Sequence, residues 1–170
     1  MLTYKSILDE TLEAWEDTRL GIIAEVKNIP ANKFDFRPTP EVRSVKEQVV
    51  HILEVAMMMT GELTRADTNF QRADWPKLLK MYAAEAYRAE SKVELMKLLK
   101  SQLQDGIKKF REAGELHMLQ FIKRFDGQSG TRLAWLNHGI AQEMYHRGQL
   151  CLYERLLGIE PALTRLIRGG

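Results

Sequence analysis

Ser44–Glu47 (SVKE) and Ser91–Glu94 (SKVE) each place a serine three residues ahead of a glutamate, in front of a run whose apolar residues recur every three or four positions. In such a capping box the serine hydroxyl and the glutamate carboxylate each satisfy a backbone amide left without a partner at a helix start. Both runs therefore open long helices. From Ser44 to about Arg65, residues Val45, Val49, Ile52, Ala56, Met59 and Leu63 form one apolar stripe that faces a core. The run from Ser91 to about Glu112 ends at Gly114, the residue type suited to a left-handed stop. A first helix runs from about Ser6 to Lys27 and stops before Asn28-Ile29-Pro30, because proline disfavours helical geometry in the residue before it. A last helix starts near Thr131, after RFDGQSG, and closes at Gly158 and Pro161. Between the second and third long helices lies a crossover, Ala66–Tyr87, with a short helix near Trp75 to Ala84. Only HMLQFIKRF, His117–Phe125, has weak strand character. These signals predict an all-α four-helix bundle with a long crossover between helices 2 and 3, as a single domain over residues 1–170.

Charge and composition narrow the class of protein. Lys and Arg together number 25 against 23 Asp and Glu, and no basic run is interleaved with aromatics, so no nucleic-acid partner is expected. The single cysteine, Cys151, excludes a disulfide framework and a cysteine-based zinc motif, which suits a reducing compartment. The first ten residues, MLTYKSILDE, lack the apolar core of a signal peptide, and no apolar run has the length of a membrane span. A cytoplasmic protein without a membrane partner is the expectation.

The last helix carries the chemistry. On a helical wheel with His138 at zero, Gln149 lies at roughly 20°, Gln142 at 40°, Tyr153 at 60° and His146 at 80°. Five polar-tipped side chains on one face require a cavity, a network or a ligand. His138 and His146 are eight residues apart, a rise of roughly 12 Å, too far to share one ion. The position four residues from each is Gln142, whose amide oxygen can ligate a metal more weakly than an imidazole. His51, amid Val50, Ile52, Val55 and Met58 on the second helix, is the candidate ligand from elsewhere; a hydrogen-bonded core histidine is its other reading. His117 lies in an irregular stretch and reads as a surface or loop residue.

Arg37–Ile52 (RPTPEVRSVKEQVVHI) together with His146–Pro161 (HRGQLCLYERLLGIEP) resembles the DinB family, the damage-inducible four-helix bundles that include YfiT-like proteins. The resemblance implies a divalent metal, zinc or nickel, held by a histidine on the second helix and two histidines four residues apart on the last. His51 and His146 match two of the three, and Gln142 stands where the middle histidine is expected. Metal binding is therefore weakened at Gln142. Several relatives are thiol-dependent transferases or isomerases, others are metal-dependent hydrolases and many have no assigned reaction, so the function the resemblance implies is metal-dependent transfer or hydrolysis, with a thiol cosubstrate unassigned. The alternative is a non-catalytic, stress-related binding or interaction protein with a degenerate metal site.

Other residues have competing duties. Glu143 and His146 have the Glu-x-x-His spacing of di-iron bundles, but the chain holds no second copy, and Glu143 points about 60° away from the stripe. Glu47 is assigned to its capping box rather than to a site. Gly148 is ascribed to close helix packing, and Met57, Met58 and Met59 to the core. Leu133, Leu136, Ile140, Met144 and Cys151 form a second apolar stripe on the last helix, from which a homodimer is expected.

Overall fold

In the computed structural model, which describes residues 5–72 and 74–169, the chain opens with α1 (Ile7–Asn28), capped by Ser6, whose hydroxyl accepts from the Asp9 amide. A loop with a 3-10 turn at Ala31–Lys33 leads to α2 (Val45–Leu63), whose Ser44–Glu47 capping box is fully formed. The crossover contains two short helices, α3 (Trp75–Tyr82) and α4 (Ala84–Arg88). A second complete capping box, Ser91–Glu94, starts α5 (Lys92–Ala113), which stops at Gly114 with φ of 82°. After α6 (Glu115–Met118) come β1 (Phe121–Lys123) and β2 (Ser129–Thr131), then α7 (Arg132–Leu156) and α8 (Ala162–Ile167). Among the described residues no helix is long and apolar enough to cross a membrane.

The four long helices form the expected bundle. Helices α1 and α2 are each flanked by α5 and α7, so these consecutive helices lie on a diagonal rather than side by side. The loop between them spans the end of the bundle and contributes Phe34, whose side chain enters the core.

The segment with weak strand character forms an antiparallel hairpin in which Ile122 pairs with Gly130. The alternation of exposed Phe121 and Lys123 around buried Ile122 fits one apolar face, and Gly127, with φ of 81°, supplies the left-handed turn residue. Backbone bonds from Phe70 to Lys123 and from Lys123 to Thr68 tie the crossover to this hairpin. His117, expected in a loop, lies in α6 and hydrogen bonds through Nε2 to the Leu63 carbonyl, closing the end of α2.

Two apolar clusters fill the bundle, one around Ile22, Val49 and Leu99, the other around Trp15, Leu103 and Leu136. Arg19 and Glu143 are both buried, and they bridge α1 and α7 through bonds of 2.7 and 2.5 Å. Trp15 Nε1 donates to the same carboxylate at 2.8 Å, and Arg19 also donates to the Leu99 carbonyl on α5. This is the duty of Glu143, in place of a di-iron site.

The stripe from which a dimer was expected is used inside the chain. Leu133, Leu136 and Cys151 are buried and Ile140 packs against the second cluster, leaving only Met144 substantially exposed. Gly148, ascribed to close packing, faces open space, since an added Cβ would meet nothing within 4 Å.

A second buried polar group joins α1 to the C-terminal segment. Glu25 accepts backbone amides of Ala162 and Leu163 at 2.7 and 3.1 Å, which anchors the start of α8. Glu154 lies beside it, bonded to Asn28 at 2.6 Å, with its other oxygen unpartnered among the described residues. Burial, reinforced by the neighbouring Glu25 carboxylate, pushes the Glu154 pKa up to about 8, so Glu154 holds a proton at neutral pH. Between pH 4.5, the ordinary value, and about 8 the folded chain keeps this proton while the unfolded chain has released it. Stability therefore falls as pH rises across that window.

Two outcomes are expected. Arg19→Leu leaves the Glu143 carboxylate buried without its cation and should cost about 3–5 kcal/mol in denaturant unfolding, whereas Arg19→Leu/Glu143→Leu should recover much of that loss. Glu154→Gln should flatten the decline in Tm that the wild type shows between pH 5 and 8, read by thermal melts in matched buffers.

Candidate metal pocket

Packing of α2 against α7 brings His51 and His146 together, with ring centroids 5.0 Å apart and planes at 85°. Gln142, one turn before His146, reaches the first ring: its Nε2 lies 3.3 Å from His51 Nε2. All three residues expected to form a site thus meet.

Each imidazole is held from behind. His51 Nδ1 is 2.9 Å from Glu54 Oε2, and the other Glu54 oxygen accepts the Tyr87 hydroxyl. His146 Nδ1 is 2.8 Å from Gln149 Oε1, and the Gln48 amide nitrogen approaches the same ring atom to 2.5 Å. A proton placed on each Nδ1 satisfies these oxygens and leaves the Nε2 lone pairs as acceptors, the tautomer a metal requires, although on His146 that proton faces the Gln48 amide nitrogen. The Gln142 amide donates to one of those lone pairs. Burial lowers the His146 pKa below its ordinary value, so its ring is neutral at neutral pH.

The donor set tests whether a metal fits. Two imidazoles with free Nε2 atoms and an amide oxygen, available once the Gln142 side chain turns over, can hold a divalent ion, with less strength than three imidazoles. A separate group, Glu25, Cys151 and Glu154, has ligand atoms within 4.8 Å of one another. Its chemistry fits poorly: burial pushes the Cys151 thiol up to about 11, Glu154 is protonated, and Glu25 is committed to the amides that start α8.

The rest of the predicted polar stripe divides. Tyr153 donates its hydroxyl to the Arg43 carbonyl at 2.8 Å, and Gln149 supports His146. His138 stands apart, exposed, with its ring 5.4 Å from that of Trp135. Glu47 serves its capping box and pairs with Arg37. Sequence reasoning missed Gln48 and Glu54, three residues before and after His51 on the same helix; that spacing was the available signal. Tyr87 comes from the crossover, where no periodicity pointed to it.

His51 lies where two recesses meet. One, of about 520 Å³, is polar and is lined by Arg43, Lys46, Glu47, Glu54 and Tyr87. The other, of about 380 Å³, is lined mainly by apolar and aromatic side chains, including the buried Met58 and Met59, and also touches Gln142.

Comparison with known proteins agrees with this fold. The model of the DinB family matches residues 1–168. YfiT from Bacillus subtilis, described as a probable metal-dependent hydrolase with an unusual four-helix bundle topology, superposes with a TM-score of 0.70 at 15% identity over 94% of this chain and 95% of its own. A DinB-like protein of the same organism gives 0.66 at 19% identity, covering 88% of this chain and 92% of its own. A DinB family member from Exiguobacterium sibiricum gives 0.59 at 20% identity, covering 90% and 93%. No curated protein sequence matches the chain.

Proposed function

Because the chain belongs to the DinB family, we propose that His51, Gln142 and His146 hold a divalent metal, zinc or nickel, weakly, and that the pocket carries out metal-dependent hydrolysis or thiol-dependent group transfer. The observation that carries this reading is the pairing of the imidazoles, each with Nδ1 engaged, with the His51 Nε2 turned to Gln142. Such an ion supplies a Lewis acid that lowers the pKa of a bound water or thiol. The chain's own residues prepare the place for it. Glu54 and Gln149 fix the two tautomers, Tyr87 steadies Glu54, and Gln48 crowds His146 against rotation. The polar recess beside His51 offers Arg43 and Lys46 to a charged cosubstrate, and the description of YfiT supports the hydrolytic version.

A second reading rests on one contact. The Gln142 amide donates to His51 Nε2 at 3.3 Å, so the pocket satisfies itself without an ion, as a non-catalytic, stress-related binding protein would require. Titration calorimetry with zinc and nickel on tag-free protein separates the two. Wild type should bind weakly, Gln142→His clearly more tightly, and Gln142→His/His51→Ala should lose the gain. Equal affinity in all three would refute the metal assignment.

A homodimer would use the exposed face of α7 instead of the stripe consumed by the core. Tyr145, Leu152 and Leu156, at 66, 52 and 55% exposure, line that face, and Gly148 leaves room there for a second helix. Sedimentation of the wild type should give twice the chain mass, and Leu152→Glu should halve it. Ile140→Glu, by contrast, should act through fold stability. A monomeric wild type would remove the dimer.

A further inference from the structure

The apolar recess beside His51 and Gln142 is built by four separate parts of the chain. Val55, Met58 and Met59 come from α2, Trp75 and Leu79 from α3, Phe125 from the turn of the hairpin, and Trp135 and Gly139 from α7. Its volume, about 380 Å³, is in the range of small-molecule sites. The rings Trp75–Phe125 and Phe125–Trp135 follow one another at centroid distances of 5.3 and 5.4 Å and interplanar angles of 68° and 57°. Successive tilted rings present both faces and edges to whatever occupies the space, an arrangement suited to a flat π-system.

Polarity sets the rest of the specification. Among the described residues no carboxylate, ammonium or guanidinium lines the recess; its polar side chains besides Trp75 and Trp135 are His51, His138 and Gln142. The Arg124 guanidinium, 4.5 Å from the centroid of the Trp135 ring, is already paired with Asp126. An ionised ligand would lose its hydration there without a counter-charge. The indole Nε1 of Trp75 is buried and has no acceptor among the described residues. A buried donor left unpaired is destabilising, and a ligand acceptor that reached it would relieve that cost.

We infer that the recess is the seat of an uncharged aromatic group of the substrate, bearing a hydrogen-bond acceptor that meets the Trp75 N–H and placing its reactive end at His51 and Gln142. As a substrate assignment this rests on the catalytic reading of the pocket, whereas occupancy by such a group can be measured without any metal. Met58 and Met59 then have a purpose beyond filling the core, since thioether side chains adapt to a planar ligand.

The test uses tag-free full-length protein in excess chelator, titrated with 2-naphthol, naphthalene and cyclohexanol by calorimetry and by quenching of tryptophan fluorescence. Saturable binding of 2-naphthol is expected, with cyclohexanol much weaker. Val55→Trp fills the recess and should weaken 2-naphthol by about tenfold or more, with unchanged circular dichroism and an unchanged zinc titration. Trp75→Phe keeps a ring but removes the N–H, and should weaken 2-naphthol while leaving naphthalene alone. The inference is overturned if the wild type binds no aromatic probe saturably, if a folded Val55→Trp binds 2-naphthol as the wild type does, or if Trp75→Phe affects both probes alike. Loss of the metal reading would leave these results unchanged, so the two can fail separately.

Discussion

The buried pair of Arg19 and Glu143 sets the rotation of the last helix, and the pocket follows from that rotation. Glu143 must face inward to meet Arg19 and the Trp15 indole. On the same helix that choice turns Gln142 and His146 towards α2 and leaves Tyr145 and Leu152 outside. An apolar core tolerates small rotations because many hydrophobic contacts are interchangeable; a bidentate ion pair in a dry interior does not. Such a pair adds little net stability, since the desolvation of two charges offsets their attraction, but misplacing either partner strands a charge. The bundle thus has a polar lock between its two apolar clusters, and it sits one helical turn from the site it orients.

The pocket shows how far hydrogen bonding alone can preorganise imidazoles. Glu54 and Gln149 take the Nδ1 protons, so neither ring needs an ion to acquire its tautomer. Where a third imidazole would leave unpaired nitrogen lone pairs converging, Gln142 supplies an N–H that one of them accepts. Under the proposed metal reading, Gln142 therefore trades affinity for an ion against a pocket whose groups satisfy one another. That trade is consistent both with a catalyst that exchanges its metal easily and with a binding protein that has dispensed with it.

How much of this was legible in the sequence depended on locality. The capping serines, Gly114 and the apolar stripes act within one helix, so the four long helices, and hence the bundle, could be read with ends within about two residues. His51, Gln142 and His146 were reached partly through spacing on α7 and partly through resemblance, and the structure brings them together. What spacing could not reveal was pairing across the bundle. Glu143 gave no sign of Arg19, 124 positions away, and Leu136 looked available to a partner because nothing local shows which neighbouring helix covers it. The hairpin was faint for a related reason: strands of three residues carry too little alternation to stand out from the helical background.

The crossover and the hairpin, which contribute least to the core of the bundle, contribute most to the character of the pocket. Four long helices alone would leave His51 at an open surface groove. Trp75 from the crossover and Phe125 from the hairpin turn roof that groove on one side, and Tyr87 flanks it on the other. The backbone bonds joining Thr68 and Phe70 to Lys123 make the two segments one unit, so their aromatic residues are positioned together. A four-helix scaffold can hold its histidines fixed while such appended segments vary in length and sequence. The division of labour follows: the bundle places the histidines, and the joined crossover and hairpin shape the space around them.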